Sequence, residues 1–141
     1  MRLRGLFRLV LIVLTGLLSL SAIPGGIALL GGYAPPIELL TGSFFADFTI
    51  PALSLLVVVG GSAALATVLL ARGSRFALLS AAFAGVVVMS FEFVEVLAIG
   101  SPSGPAQVMQ LLYFAVGLLL VSASLAAVLV DLLEEGRARR E

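Results

Sequence analysis

The sequence predicts an all-α fold, an integral membrane four-helix bundle with both termini cytoplasmic, and three observations carry that expectation. The 141-residue chain is 61% hydrophobic and 11% charged, whereas soluble domains run near half apolar and about a quarter charged. It holds four apolar runs, at about 9–30, 50–71, 76–99 and 108–130. Each exceeds the roughly 18 residues that mark a membrane span. All eight basic residues are Arg, and four crossings place every one on the same side. Backbone amides in hydrocarbon must pair within their own segment, so the runs are helices, and flanking basic residues are retained in the cytoplasm.

The first span follows Arg2, Arg4 and Arg8 and carries Pro24, Gly25 and Gly26 near its far end. Proline removes a backbone donor and crowds the preceding turn, so a kink or break is expected there. The basic start and the small residues Ser19, Ser21 and Ala22 also resemble a signal peptide, whose cleavage would leave three spans. Hydrophobicity that continues through Ile27 to Leu30 outlasts an apolar region of about 15 residues and favours an uncut helix.

Residues 31–49 form a semi-apolar extracytoplasmic loop expected to lie on the membrane surface. Pro35 and Pro36 can start a short helix through Ile37 to Leu40, with Thr41, Gly42 and Ser43 as its end. Phe44, Phe45 and Phe48 are expected to seat this loop in the headgroup layer. Asp47 or Thr49 then caps the second span, and Pro51 is tolerated in its first turn. The turn Arg72-Gly73-Ser74-Arg75 makes the second and third spans antiparallel neighbours. The uncharged loop Gly100 to Ala106 leads into the fourth span, and the charged cytoplasmic tail 131–141, with Arg137, Arg139 and Arg140, is expected to fray into water.

Small residues thin three of the spans: Gly60, Gly61, Ala63 and Ala64 in the second, Ala81, Ala82, Ala84 and Gly85 in the third, Gly117, Ser122, Ser124 and Ala127 in the fourth. Helices in lipid associate through close packing, which such stripes permit.

Glu92 and Glu95 interrupt the third span. Counted back from Ile99 they lie roughly 6 to 11 Å inside its end. Three-residue spacing puts them on one face, which continues through Val88, Gly85 and Ala81, so acids and packing seam coincide. The start of the fourth span carries Gln107, Gln110 and Tyr113, and Gln110 and Tyr113 share the face of Gly117 and Ser124. An outward-facing polar pocket of Glu92, Glu95, Gln110 and Tyr113 is expected, roofed by the first loop with Asp47 and Ser43 above.

No Arg is available on that side, and two close acids in low dielectric cannot both stay charged cheaply, so a proton or a bound cation is required. Three readings compete: a protonated carboxyl that locks helices together, a proton or cation site serving transport, and carboxylate-based hydrolysis. The last lacks a nucleophile, an activating base or a spaced metal cluster. The chain has no Cys, His or Lys, which removes disulfides, thiolate and imidazole ligands and Schiff-base chemistry. No cofactor is implied, no metal is specified, and zero net charge gives no reason to expect nucleic acid. The expected partners are the lipid bilayer and either further copies of the chain or another membrane protein, since so small a bundle has little interior volume for a solute path.

The segments PPIELLTGSFFADFTIPALSLLVVVGG, VEVLAIG and LLYFAVGLLL resemble a family of small four-span bacterial membrane proteins with a G-S-P-F-x-D-Y-x-I-P extracytoplasmic loop. The likeness runs from about Pro35 to Leu120. It implies the four-span topology in a bacterial cytoplasmic membrane and no reaction, because that family has no established activity. By resemblance Gly42, Ser43, Asp47, Pro51, Glu95 and Tyr113 are the positions to test first. Phe44 stands where that loop has proline, and Phe48 where it has tyrosine. The use of Arg without Lys or Asn also accords with GC-rich coding DNA.

Overall fold

The computed structural model describes residues 3–139, so Arg2 and Arg140 lie outside the described residues. Among those residues the chain is entirely helix, turn and loop. Four long helices make up the fold: α1 (Leu3–Leu30), α2 (Thr49–Ala71), α3 (Ala77–Ile99) and α4 (Pro105–Ala138). All four are long and apolar enough to cross a membrane. Each packs on the next in the chain, and α4 returns to α1, which closes the bundle into a ring. The buried centre is aliphatic, with Leu11, Leu70, Val59, Val88 and Leu120 almost wholly enclosed. Large apolar side chains also face outward on every helix, among them Leu20, Leu65, Leu79 and Leu111. An aliphatic exterior of this extent suits hydrocarbon surroundings.

The antiparallel order collects Arg4, Arg8, Arg72, Arg75, Arg137 and Arg139 at one end of the bundle. There the Arg8 guanidinium donates to the carbonyls of Leu70 (2.8 Å) and Ala71 (2.7 Å). Those are last-turn carbonyls of α2, which have no partner within their own helix. The same helix end closes with Ser74 N–H on Leu69 O and Gly73 N–H on Leu70 O. This is a Schellman motif, and it needs a left-handed residue, supplied by Gly73 at φ +66°.

Pro24 does not break α1, which runs unbroken through it. The following glycines hold the segment against α2. A Cβ on Gly26 would come within 2.7 Å of the Ala52 carbonyl oxygen and of Leu56 Cβ, so the two backbones touch there. The tail does not fray either: α4 stays helical to Ala138. Arg4 reaches across from α1 and pairs with both Asp131 and Glu134, which ties the last turns to the bundle.

Within α2 the stretch Ser54–Val59 is π-helical. This wide turn sits against Ile23, Gly25 and Gly26 of α1 and lies between the proline-containing first turn, Thr49–Leu53, and Gly60. A π turn carries an extra residue relative to the α register and is often found beside functional sites.

A second close crossing joins α3 to α4. A Cβ on Gly85 would lie 2.7 Å from the Gly117 carbonyl oxygen, and one on Gly117 would lie 2.8 Å from Gly85 O. Of the small residues in the stripes, Gly60, Ala63, Ala81, Ala84, Gly85, Gly117, Ser124 and Ala127 face inward, while Gly61 and Ser122 face out. Gly85→Ala is therefore expected to destabilise the folded chain by about 1–3 kcal/mol, the range for overpacking. Gly61→Ala, whose added methyl meets nothing within 4 Å, should leave stability within about 0.5 kcal/mol. Thermal or denaturant midpoints of the two variants check this.

Candidate functional site

Seven residues, close to two helical turns, separate Gly85 from Glu92 on α3 and Gly117 from Gln110 on α4. Because the helices are antiparallel, both steps run toward the end remote from the arginines, so the crossing sets Glu92 opposite Gln110. Both are sealed in the interface, with 3% and 4% of their surfaces exposed. One turn further along α3, Glu95 accepts a hydrogen bond of 3.1 Å from Gln110 Nε2, which also donates to the Gly100 carbonyl at 3.1 Å. One amide thus fastens α4 to a carboxylate of α3 and to the loop that follows it.

The cluster is only half satisfied. Glu92 Oε2 and Gln110 Oε1 are buried without a hydrogen-bond partner, and both are acceptors when the carboxyl is ionised. Glu95 differs, because its Oε1 is held by Gln110 while Oε2 makes no hydrogen bond and is absent from the sealed, unpartnered atoms. Its side chain forms part of the wall of a cavity of about 140 Å³ between the first loop, α2 and α3. Leu40, Phe45 and Phe48 of the loop, Ser54 of the π turn and Phe91 of α3 complete much of that wall. The loop does form a roof, over an apolar chamber with a single carboxylate.

The other expected members make no hydrogen bond with the two carboxyls. The Tyr113 hydroxyl donates to Ser21 Oγ of α1 at 3.0 Å, so it ties α4 to α1 and makes no hydrogen bond with either carboxylate. Gln107 is exposed. Asp47 is also exposed, and its Oδ1 accepts the Thr49 N–H at 2.8 Å. The N-cap position of α2 is Phe48, with no side-chain cap bond, so neither Asp47 nor Thr49 is the cap the sequence suggested; Asp47 instead closes a turn just before the helix, and this bond holds its carboxyl below the usual range. Ser43 Oγ accepts the Phe45 N–H at 3.2 Å within its own turn. Both residues shape the loop and neither makes a hydrogen bond with Glu92 or Glu95.

Of the three loop phenylalanines, Phe44 is 73% exposed, whereas Phe45 and Phe48 line the cavity. Local side-chain bonds at Ser43 and Asp47 flank the segment that carries these rings. The cavity itself was not read from the sequence. Its one legible signal is the alternation of aromatic and small residues in GSFFADF, which marks a loop able to fold over apolar surface.

Among the described residues no three of His, Cys, Asp and Glu gather as a metal-binding group. No protein-family model matches the chain, and neither does any curated protein or solved structure with which it was compared.

Gln110→Leu is expected to cost about 1–3 kcal/mol, because it leaves a buried carboxyl and a backbone carbonyl without their donor. Gln107→Leu, at an exposed position of the same helix, should change stability by less than about 0.5 kcal/mol. Unfolding midpoints in a single detergent give the comparison.

Proposed function

We propose that this chain is a multi-pass protein of the bacterial cytoplasmic membrane, with both termini in the cytoplasm, that catalyses no covalent chemistry and carries a protonatable site in its outer half. The likeness of its loop to that of small four-span bacterial proteins and the gathering of arginines at one end of the bundle support the membrane and the orientation. The observation that carries the site is the pair of sealed acceptors, Glu92 Oε2 and Gln110 Oε1, on facing sides of the Gly85–Gly117 crossing.

A buried polar network is stable when every member is satisfied and costly when it is not. A proton on Glu92 removes an unpaired charge from a low-dielectric interior. Glu95 is the member that exchanges, because one oxygen is held by Gln110 while the residue also borders the cavity. The site therefore sets a structural lock, the sealed Glu92, one helical turn from an exchangeable carboxyl, Glu95.

Proton- or cation-linked transport is the second reading, favoured by that exchangeable carboxyl. Toward the arginine end the interior closes with Leu11, Leu70, Ala77 and Ala81, so passage calls for a second conformation or a partner copy. Flux into liposomes that is lost in Glu95→Gln with helicity retained is the result expected from this reading.

Two outcomes follow from the proposal. In difference infrared spectra of lipid-reconstituted protein at neutral pH, a protonated-carboxyl carbonyl band is expected, and Glu92→Gln should remove it without loss of thermal stability, since the new amide is neutral and matches the protonated carboxyl in size. A wild-type spectrum with no such band contradicts the site. For orientation, Ser103→Cys should react with an impermeant maleimide on intact cells and Ser74→Cys only after lysis. The reverse pattern overturns the topology.

A further inference from the structure

The cavity beside Glu95 has walls of a distinct chemistry. Phe45, Phe48 and Phe91 contribute three phenyl rings, Leu40 an aliphatic side chain, and Ser54 and Glu95 the polar groups of the lining. Glu95 is the one ionisable side chain in that wall. Every described Arg belongs to the opposite end of the bundle, so among the described residues this carboxylate has no counter-cation within reach.

Those groups discriminate among occupants. A hard metal ion takes six or more oxygen ligands, or keeps its own water, and one carboxylate with one hydroxyl in an apolar chamber offers neither. A neutral hydrocarbon fills the space and leaves the carboxylate unmatched. A cation that carries its charge inside an apolar shell satisfies both features, because aromatic rings attract such cations and a carboxylate balances them. The volume, about 140 Å³, is close to the roughly 150 Å³ of an engineered cavity that accepts benzene.

We propose that the chamber roofed by the first loop binds a small apolar ammonium compound, with Glu95 as counter-ion and Phe45, Phe48 and Phe91 as aromatic wall. This rests on the exchangeable Glu95 carboxyl proposed above, for which ligand and proton compete. The other titratable groups at this end are Glu92 on the same helix, Tyr113 on α4, and Tyr33, Glu38 and Asp47 on the loop. None of these carries a positive charge, so no side chain among them substitutes for the ligand.

The test uses the full chain in nanodiscs of zwitterionic lipid, with tetramethylammonium as probe, its neutral isostere neopentane as control, and saturation-transfer NMR as readout. Saturable binding of the ammonium probe is expected, weakening as the pH is lowered and protons reclaim Glu95. Glu95→Gln should weaken it roughly tenfold or more. Ala98→Leu, which fills the cavity and keeps the carboxylate, should weaken it comparably. If Glu95→Gln does not fold, Ala98→Leu decides the matter. Absence of saturable binding to the wild type, equal binding by either folded variant, or equal affinity for the neutral isostere overturns the inference. The infrared band separates the two proposals: a band present without ammonium binding defeats only this one, and a missing band defeats the reading on which it rests.

Discussion

The backbone contact between Gly85 and Gly117 is the constraint on which the rest of the structure depends. With no side chain on either residue, α3 and α4 meet at a carbonyl oxygen rather than at a methyl group, and their relative height is set there. Everything polar in the interface is measured from that point. Two turns toward one end come Glu92 and Gln110, and the hydrogen bond from Gln110 to Glu95 closes the arrangement. Helix packing without water relies on fit more than on solvent exclusion, so a small-residue crossing can decide where a few polar atoms meet.

The two ends of the bundle deal with charge in opposite ways. At the arginine end the charges are matched: Arg8 caps the carbonyls of α2, Arg4 pairs with Asp131 and Glu134, and the Arg75 guanidinium lies 4.6 Å from the centre of the Phe76 ring. At the far end the carboxyls of α3 have amide and hydroxyl groups nearby but no cation. A matched end serves as an anchor. An unmatched one is where a proton or a cationic ligand has something to gain, and there α2 relaxes into a π turn and the loop folds over a cavity.

Much of this was legible in the residues. Span limits, the antiparallel order and the shared face of Glu92 and Glu95 follow from run length, arginine placement and helical spacing, signals long enough to average over local exceptions. The Gln110 partner was legible for the same reason, since its spacing from Gly117 mirrors that of Glu92 from Gly85. Features that escaped depend on contacts between elements distant in sequence. Pro24 looks like a breaker until Gly25 and Gly26 are seen packed on α2. The tail looks frayed until Arg4 is placed beside Asp131. The roles of Tyr113, Phe45 and Phe48 depend on which neighbour each meets, Ser21 for one and the cavity for the others, and side-chain type does not encode that. Nothing in SLLVVV announces a π turn.

The most direct measurement of the central claim is a heteronuclear dipolar recoupling experiment on lipid-reconstituted protein, with the Glu95 side-chain carboxyl carbon and the Gln110 side-chain amide nitrogen isotopically labelled. Strong dephasing, of a kind that only side chains in contact produce, is the result this account predicts, and it should vanish when the crossing is spread by Gly85→Leu. A wild-type sample with no dephasing would contradict the register that the Gly85–Gly117 contact imposes, and with it the paired acceptors on which the proposed site is built.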